Sequence, residues 1–152
     1  HHDDPRITSS DVTMMIRREI EQGLQQLSTY KSFQIKANQI KNDLLSFLLQ
    51  QKKLNKSVVA YGAAAKGNTF LNYCNIGDSL IDFVVDKNPS KIGKFLPGSH
   101  LKIFSIDKLK QFKPDYIVIL PWNIKNEIIK QIKISKLKTK FITAVPKITI
   151  YK

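Results

Sequence analysis

The residues whose types and spacing suit chemistry best lie in "VVAYGAAAKGNTFLNYC", residues 58–74. A short apolar run stops at Gly62, and Ala64 and Gly67 follow in a G-x-A-x-x-G spacing. This is a variant of the loop that cradles a pyrophosphate. In that reading Gly62 permits the tight turn and Gly67 lets a helix pack close to a strand. The first N–H groups of the helix then offer partial positive charge to a phosphate. Ala63 and Ala65 complete the loop, Lys66 adds a mobile cation, and Asn68 can hydrogen-bond or cap the helix. Ala64 stands where a glycine would let the backbone approach a pyrophosphate most closely, which weakens a standard NAD reading. A phosphate loop of the ATPase kind is excluded by spacing: Asn68-Thr69 follows Gly67 where lysine and a hydroxyl residue are required.

Three further stretches carry candidate groups. Asp86 ends the next apolar run, about 20 residues past the last glycine, where an acidic residue can bind a ribose hydroxyl. Equally, Asp86 can cap the turn Asp86-Lys87-Asn88-Pro89, since Asp and Asn commonly begin turns. In "LPWN", Pro121 stops a strand, Trp122 offers a flat surface to a base or sugar or plugs the core, and Asn123 can cap a helix. In "GKFLPGSH" stand Lys94, Pro97, Gly98 and His100. His100 is an acid–base or phosphate-binding candidate, although a lone loop histidine more often does neither. Tyr61 and Tyr73 read as packing residues. Cys74 reads as a small helix residue with no base beside it.

These groups need a scaffold, and hydrophobic periodicity supplies one. Residues 1–8 read as a linker with a turn at Asp4-Pro5, and His1-His2 as native residues or a tag remnant. Val12, Met15, Ile16 and Ile20 recur at helical spacing, predicting an amphipathic helix over 10–28 that Gly23 weakens near its end. Phe33, Ala37, Ile40, Leu44, Phe47 and Leu48 predict a second helix reaching about Leu54. Both stripes read as core or packing surface. The period then changes. Apolar runs at 57–61, 79–86, 114–120, 140–145 and 147–151 read as strands, with a short strand possible at "LKIF" (101–104). Helices are expected between them over 67–76, 105–112 and 123–136. Strands alternating with helices predict an α/β fold: a mostly parallel sheet with helices on both faces, preceded by two N-terminal helices. The expected division is a helical lead-in over 9–55 and a sheet domain over 56–152, packed as one compact unit.

Composition bounds the function. The chain has 152 residues, enough for one core-bearing domain and not comfortably two. No apolar run is long enough to span a membrane, no signal peptide is visible, and the use of one cysteine makes a reducing cytoplasm the expected location. The single cysteine precludes an internal disulfide, and no metal site is expected. The net charge of +13 favours anionic partners. It is spread along the chain with no basic stripe or groove-reading element, so nucleic acid is not the expected partner.

Taken together, "YGAAAKGNTFLNYCNI", "IDFVVDKNPSKIGKFLPGSHLKI" and "PDYIVILPWNIKNEI" resemble the C-terminal domain of S-adenosylmethionine-dependent sugar C-methyltransferases. The resemblance runs from about Ser10 to Ile150 and is strongest from Tyr61 to Glu127. It implies a Rossmann-like domain that holds a nucleotide-linked deoxysugar against a methyltransferase domain. Members of that family carry a cysteine-rich zinc segment and a donor-binding catalytic domain, neither of which has a counterpart here. No catalytic residue can therefore be placed on this chain, and no cofactor is expected on it; S-adenosylmethionine and structural zinc would belong to the parent enzyme. By the resemblance, Gly62, Ala63, Ala64, Ala65, Lys66, Gly67 and Asn68 would face the diphosphate. Asp86, Lys87 and Asn88 would line the nucleoside or sugar side, and Pro97-Gly98 with Trp122-Asn123 would complete the cleft. The alternative is a free-standing Rossmann-like module binding NAD or coenzyme A.

Overall fold

The structure, a computed structural model, describes residues 7–133 and 137–152. The expected linker turn at Asp4-Pro5, the two leading histidines and the last turn of the helix expected to end at 136 lie outside the described residues. The chain divides into two compact units, one ending at Asn38 and the other spanning Gln39–Lys152.

The smaller unit is helical. Its first helix, α1 (Ser10–Glu21), is shorter than the period predicts. Gly23 takes a left-handed φ of 71°, which a right-handed helix cannot continue through. The turn is held by Gln26 N–H and Thr29 Oγ1, which donate to the Gly23 carbonyl at 2.8 and 2.7 Å. A short helix α2 (Leu27–Lys31) follows. The stripe Val12, Met15, Ile16, Ile20, expected to be core or packing surface, is exposed, and α1 buries no residue. Helix α3 (Phe33–Lys53) runs from this unit into the larger one.

In the larger unit the strands are β1 (Val58–Tyr61), β2 (Val84–Val85), β3 (Ile103–Phe104), β4 (Tyr116–Ile119), β5 (Lys140–Thr143) and β6 (Thr149–Tyr151). They form one sheet in the order β3-β2-β1-β4-β5-β6. All neighbours are parallel except β5 and β6, which pair antiparallel. This is the strand order of doubly wound nucleotide-binding sheets, so the expected α/β, mostly parallel, Rossmann-like class is the observed one. The helices between strands are α4 (Ala65–Cys74), α5 (Lys108–Phe112) and α6 (Lys125–Lys133), with a single 3-10 turn over Trp122–Ile124.

Alternating residues of the central strands face two cores. Val58, Ala60, Val118 and Leu120 join Leu44 and Leu48 of α3 and Leu71 and Cys74 of α4. Val59, Tyr61, Ile117 and Ile119 join Leu109 of α5 and Ile128 and Ile132 of α6. Burial on both faces explains the unbroken apolar strands. Each such Leu or Ile contributes about 1.5 to 3 kcal/mol by leaving water. Two differences from the sequence reading have local causes. The run over 79–86 yields only a two-residue strand, because Leu80 and Ile81 N–H both turn back to the Gly77 carbonyl. The long connection before β3 folds on itself, with Gly93 N–H donating to Ile103 O and Ile103 N–H to Lys94 O, both at 2.8 Å.

Candidate functional site

The chain leaves β1 toward β2 on one side and later enters β4 on the other. The crevice opens beyond the carboxyl ends of β1 and β4, where the strand order reverses. Gly62 follows β1 with φ 99°, and a Cβ there would lie 2.6 Å from Pro121 of the β4 loop. Gly67 has no such φ, but its Cβ would lie 2.6 Å from the Leu120 Cβ. The two glycines thus do what their spacing suggests: one turns the chain and the other seats α4 against the sheet. No side chain caps α4, whose N-cap Ala64 is extended, so the donors of its first turn stay available.

Asp86 shapes the loop. One carboxylate oxygen accepts Ala63 N–H at 2.6 Å, and the other accepts Asn88 N–H at 2.8 Å. The second contact is the turn cap that the sequence allows, continued by Asn88 Oδ1 accepting Ser90 N–H at 3.0 Å. Lys91 closes the arrangement. Its Nζ donates to the Ala63 carbonyl at 2.7 Å and lies 3.7 Å from Asp86. Nothing in the sequence spacing pointed to Lys91.

The candidate residues fall into three groups. Gly62, Ala64, Asp86 and Lys87 line a cavity of about 230 Å³ with Tyr61, Pro121, Ile124 of the 3-10 turn and, from α6, Glu127, Ile128 and Gln131. Here Tyr61 Oη donates to Gln131 Oε1 at 3.4 Å. Burial raises the phenol pKa above its ordinary 10.0, and the Asp86 charge raises it further, so Tyr61 stays a neutral donor. Sequence reasoning missed the α6 contribution, because "NEIIKQI" reads only as a helix packing on a sheet. The signal was available in the polar residues Glu127 and Gln131, one helical turn apart and flanking the apolar Ile128.

The second group lies beside the start of α4. Lys66 Nζ sits 4.5 Å above the Trp122 ring and donates to Asn123 Oδ1. Trp122 packs edge-on against Phe70 at 6.0 Å, so it is partly a plug and partly an open face. The third group is farther along the helix. Asn72 Nδ2 donates to Asn68 O at 2.9 Å and Pro97 O at 3.0 Å, and its amide packs directly on Gly98. Asn68 keeps a buried side-chain oxygen without a partner. Ala65 is exposed. His100 takes a left-handed φ of 55° in an exposed turn. Tyr61 is core, as expected, whereas Tyr73 is 39% exposed under the Lys41 amine. Cys74 is fully buried, and desolvation pushes its thiol up to about 11, which keeps it protonated and inert.

Among the described residues no cluster of His, Cys, Asp and Glu could hold a metal ion. Likewise, no described helix is long and apolar enough to cross a membrane.

The chain is similar to the C-methyltransferase NovU of Streptomyces niveus, 32% identical over 118 residues, covering 78% of this chain. It spans 28% of that relative's length. Among solved structures it resembles the UDP-D-quinovosamine 4-dehydrogenase of Vibrio fischeri at TM-score 0.43 and 18% identity, over 58% of this chain and 76% of that one. The family model described as the C-methyltransferase C-terminal domain matches residues 1–146, and this chain belongs to that family.

Proposed function

We propose that this domain binds the nucleotide-linked deoxysugar substrate of an S-adenosylmethionine-dependent C-methyltransferase. It presents that substrate to a methyl-transferring part of the enzyme outside this chain. The observation that carries the reading is the cavity at the strand-order reversal, bounded by the Gly62 loop and the uncapped start of α4. Family membership supports it.

The division of labour follows from chemistry. The diphosphate takes the first-turn N–H groups of α4 and the Lys66 amine, which suit an anion. Trp122 offers its ring to the adjoining group. The cavity beside α6 carries Asp86 and Glu127, which accept hydrogen bonds, and Lys87 and the Gln131 amide N–H groups, which donate. That set suits the hydroxyls of a sugar rather than a second phosphate. Asp86 acts mainly by holding Ala63 and Asn88 in place. None of these residues makes or breaks a bond; they bind and orient.

Calorimetric titration with a thymidine diphosphate-sugar, NAD, coenzyme A and S-adenosylmethionine tests the reading. Binding of the nucleotide-sugar alone, weakened about tenfold by Lys66→Ala, is the expected result. Preferential binding of NAD or coenzyme A would favour a free-standing Rossmann-like module, and binding of S-adenosylmethionine would place the methyl donor here instead.

A further inference from the structure

The opposite edge of the sheet holds a second concavity, of about 460 Å³, lined by Lys56, Asp115, Tyr116, Lys138, Thr139, Lys140 and Lys152. The topology gathers these residues. Tyr116 and Lys140 begin two parallel strands and are register partners. Because β6 runs antiparallel, the chain beyond Tyr151 returns to the same edge. Four lysines and the Asp115 side chain therefore line one concavity.

That carboxylate does little to balance them. Asp115 accepts Ser57 N–H at 2.9 Å, Ser57 Oγ at 3.1 Å and Lys56 Nζ at 3.0 Å. The Ser57 N–H, and next the Lys56 amine, hold its pKa below the ordinary 3.8, so it is committed to these donors. Lys140 Nζ lies 5.6 Å over the Tyr116 ring, which offers a cation a weak partner. Lys138 and Lys152 are exposed and form no ion pair among the described residues. A second feature points the same way: Thr139 Oγ1 is buried and has no hydrogen-bond partner. A buried hydroxyl without a partner is uncommon in folded proteins.

We propose that this basic concavity is an anion site for a phosphate-bearing small molecule, separate from the sugar cleft. Lys138 and Lys140 supply charge, the Thr139 hydroxyl donates a hydrogen bond, and the Tyr116 face holds Lys140 in place. Several amines lining one concavity suit a diphosphate, with its higher charge, better than a single phosphate.

Inorganic pyrophosphate, titrated into the full chain and followed by amide NMR, tests this. The expected result is saturable shifts at Tyr116, Thr139 and Lys140, weakened about tenfold in Lys138→Ala/Lys140→Ala. The control Lys130→Ala/Lys133→Ala, which removes equal charge from α6, should leave them unchanged. A parallel titration with a nucleoside diphosphate separates the sources: shifts here of equal strength show that any diphosphate serves, and weaker ones select the free anion. Equal weakening in both double variants, or shifts spread over all lysines, would reduce the site to general electrostatics and overturn the proposal. Thr139→Val, a near-isosteric change at the hydroxyl, should weaken binding at unchanged charge; full retention would also count against it.

Discussion

At the amino-terminal edge of the sheet Asp115 gathers the N–H and hydroxyl of Ser57 and the amine of Lys56. At the carboxyl-terminal edge Asp86 gathers the N–H groups of Ala63 and Asn88, with Lys91 nearby. The residue type is the same and the donors are similar, yet the consequences differ. Asp115 ties the entry of β1 to the entry of β4, and Ser57 Oγ returns the bond by accepting Asp115 N–H at 3.0 Å. That clasp consumes its own donors. Asp86 instead bends a loop and leaves the next donors, those at the start of α4, unclaimed. A carboxylate whose donors are mutually satisfied is structural; a carboxylate that bends a loop and leaves the next donors open prepares a binding site.

The contrast can be broken most severely at the glycines. Gly62→Ala and Gly67→Ala should each cost about 2 to 3 kcal/mol of stability, read by urea denaturation, since either Cβ meets a neighbour 2.6 Å away. Asp115→Ala should cost about 1 to 2 kcal/mol, because the Ser57 N–H loses a charged acceptor in a half-exposed setting. Its pH signature sharpens the comparison. The folded pKa lies below 3.8, so the stabilisation is full above that value and is lost as pH falls through the folded pKa. Stability of the wild type should therefore drop below about pH 4 more steeply than that of Asp115→Asn. Gly93→Ala tests the backbone alone: φ is 85° and nothing lies within 4 Å, so about 1 kcal/mol is expected. Lys66→Ala should change stability by less than about 0.5 kcal/mol while weakening nucleotide-sugar binding, because the amine is exposed.

The same contrast explains what the sequence discloses. The Rossmann-like class, the turn at Gly62 and the close packing at Gly67 are legible, because each follows from a residue's steric limits. The turn cap at Asp86 is one of two readings that the residue allows. Its second bond, to Ala63 N–H, depends on how β1 and β2 pair, which no local pattern records. Lys91 is invisible for the same reason, since it reaches Ala63 across the loop. Glu127 and Gln131 reach the cleft only because α6 packs with Ile128 and Ile132 inward. The length of β2 fails on a competing turn at Gly77, and α1 ends early at Gly23, where propensity alone underweights a left-handed residue. The apolar stripe of α1 shows the limit of periodicity: spacing identifies an amphipathic helix but does not bury it.

The most direct test of the sugar-cleft reading is amide NMR of the whole chain during titration with a thymidine diphosphate-sugar. Saturable shifts are expected over residues 62–68, at Lys87, and on α6 at Glu127 and Gln131, with S-adenosylmethionine producing none. Shifts confined to the amino-terminal edge near Asp115, or saturation by NAD but not by the nucleotide-sugar, would contradict it.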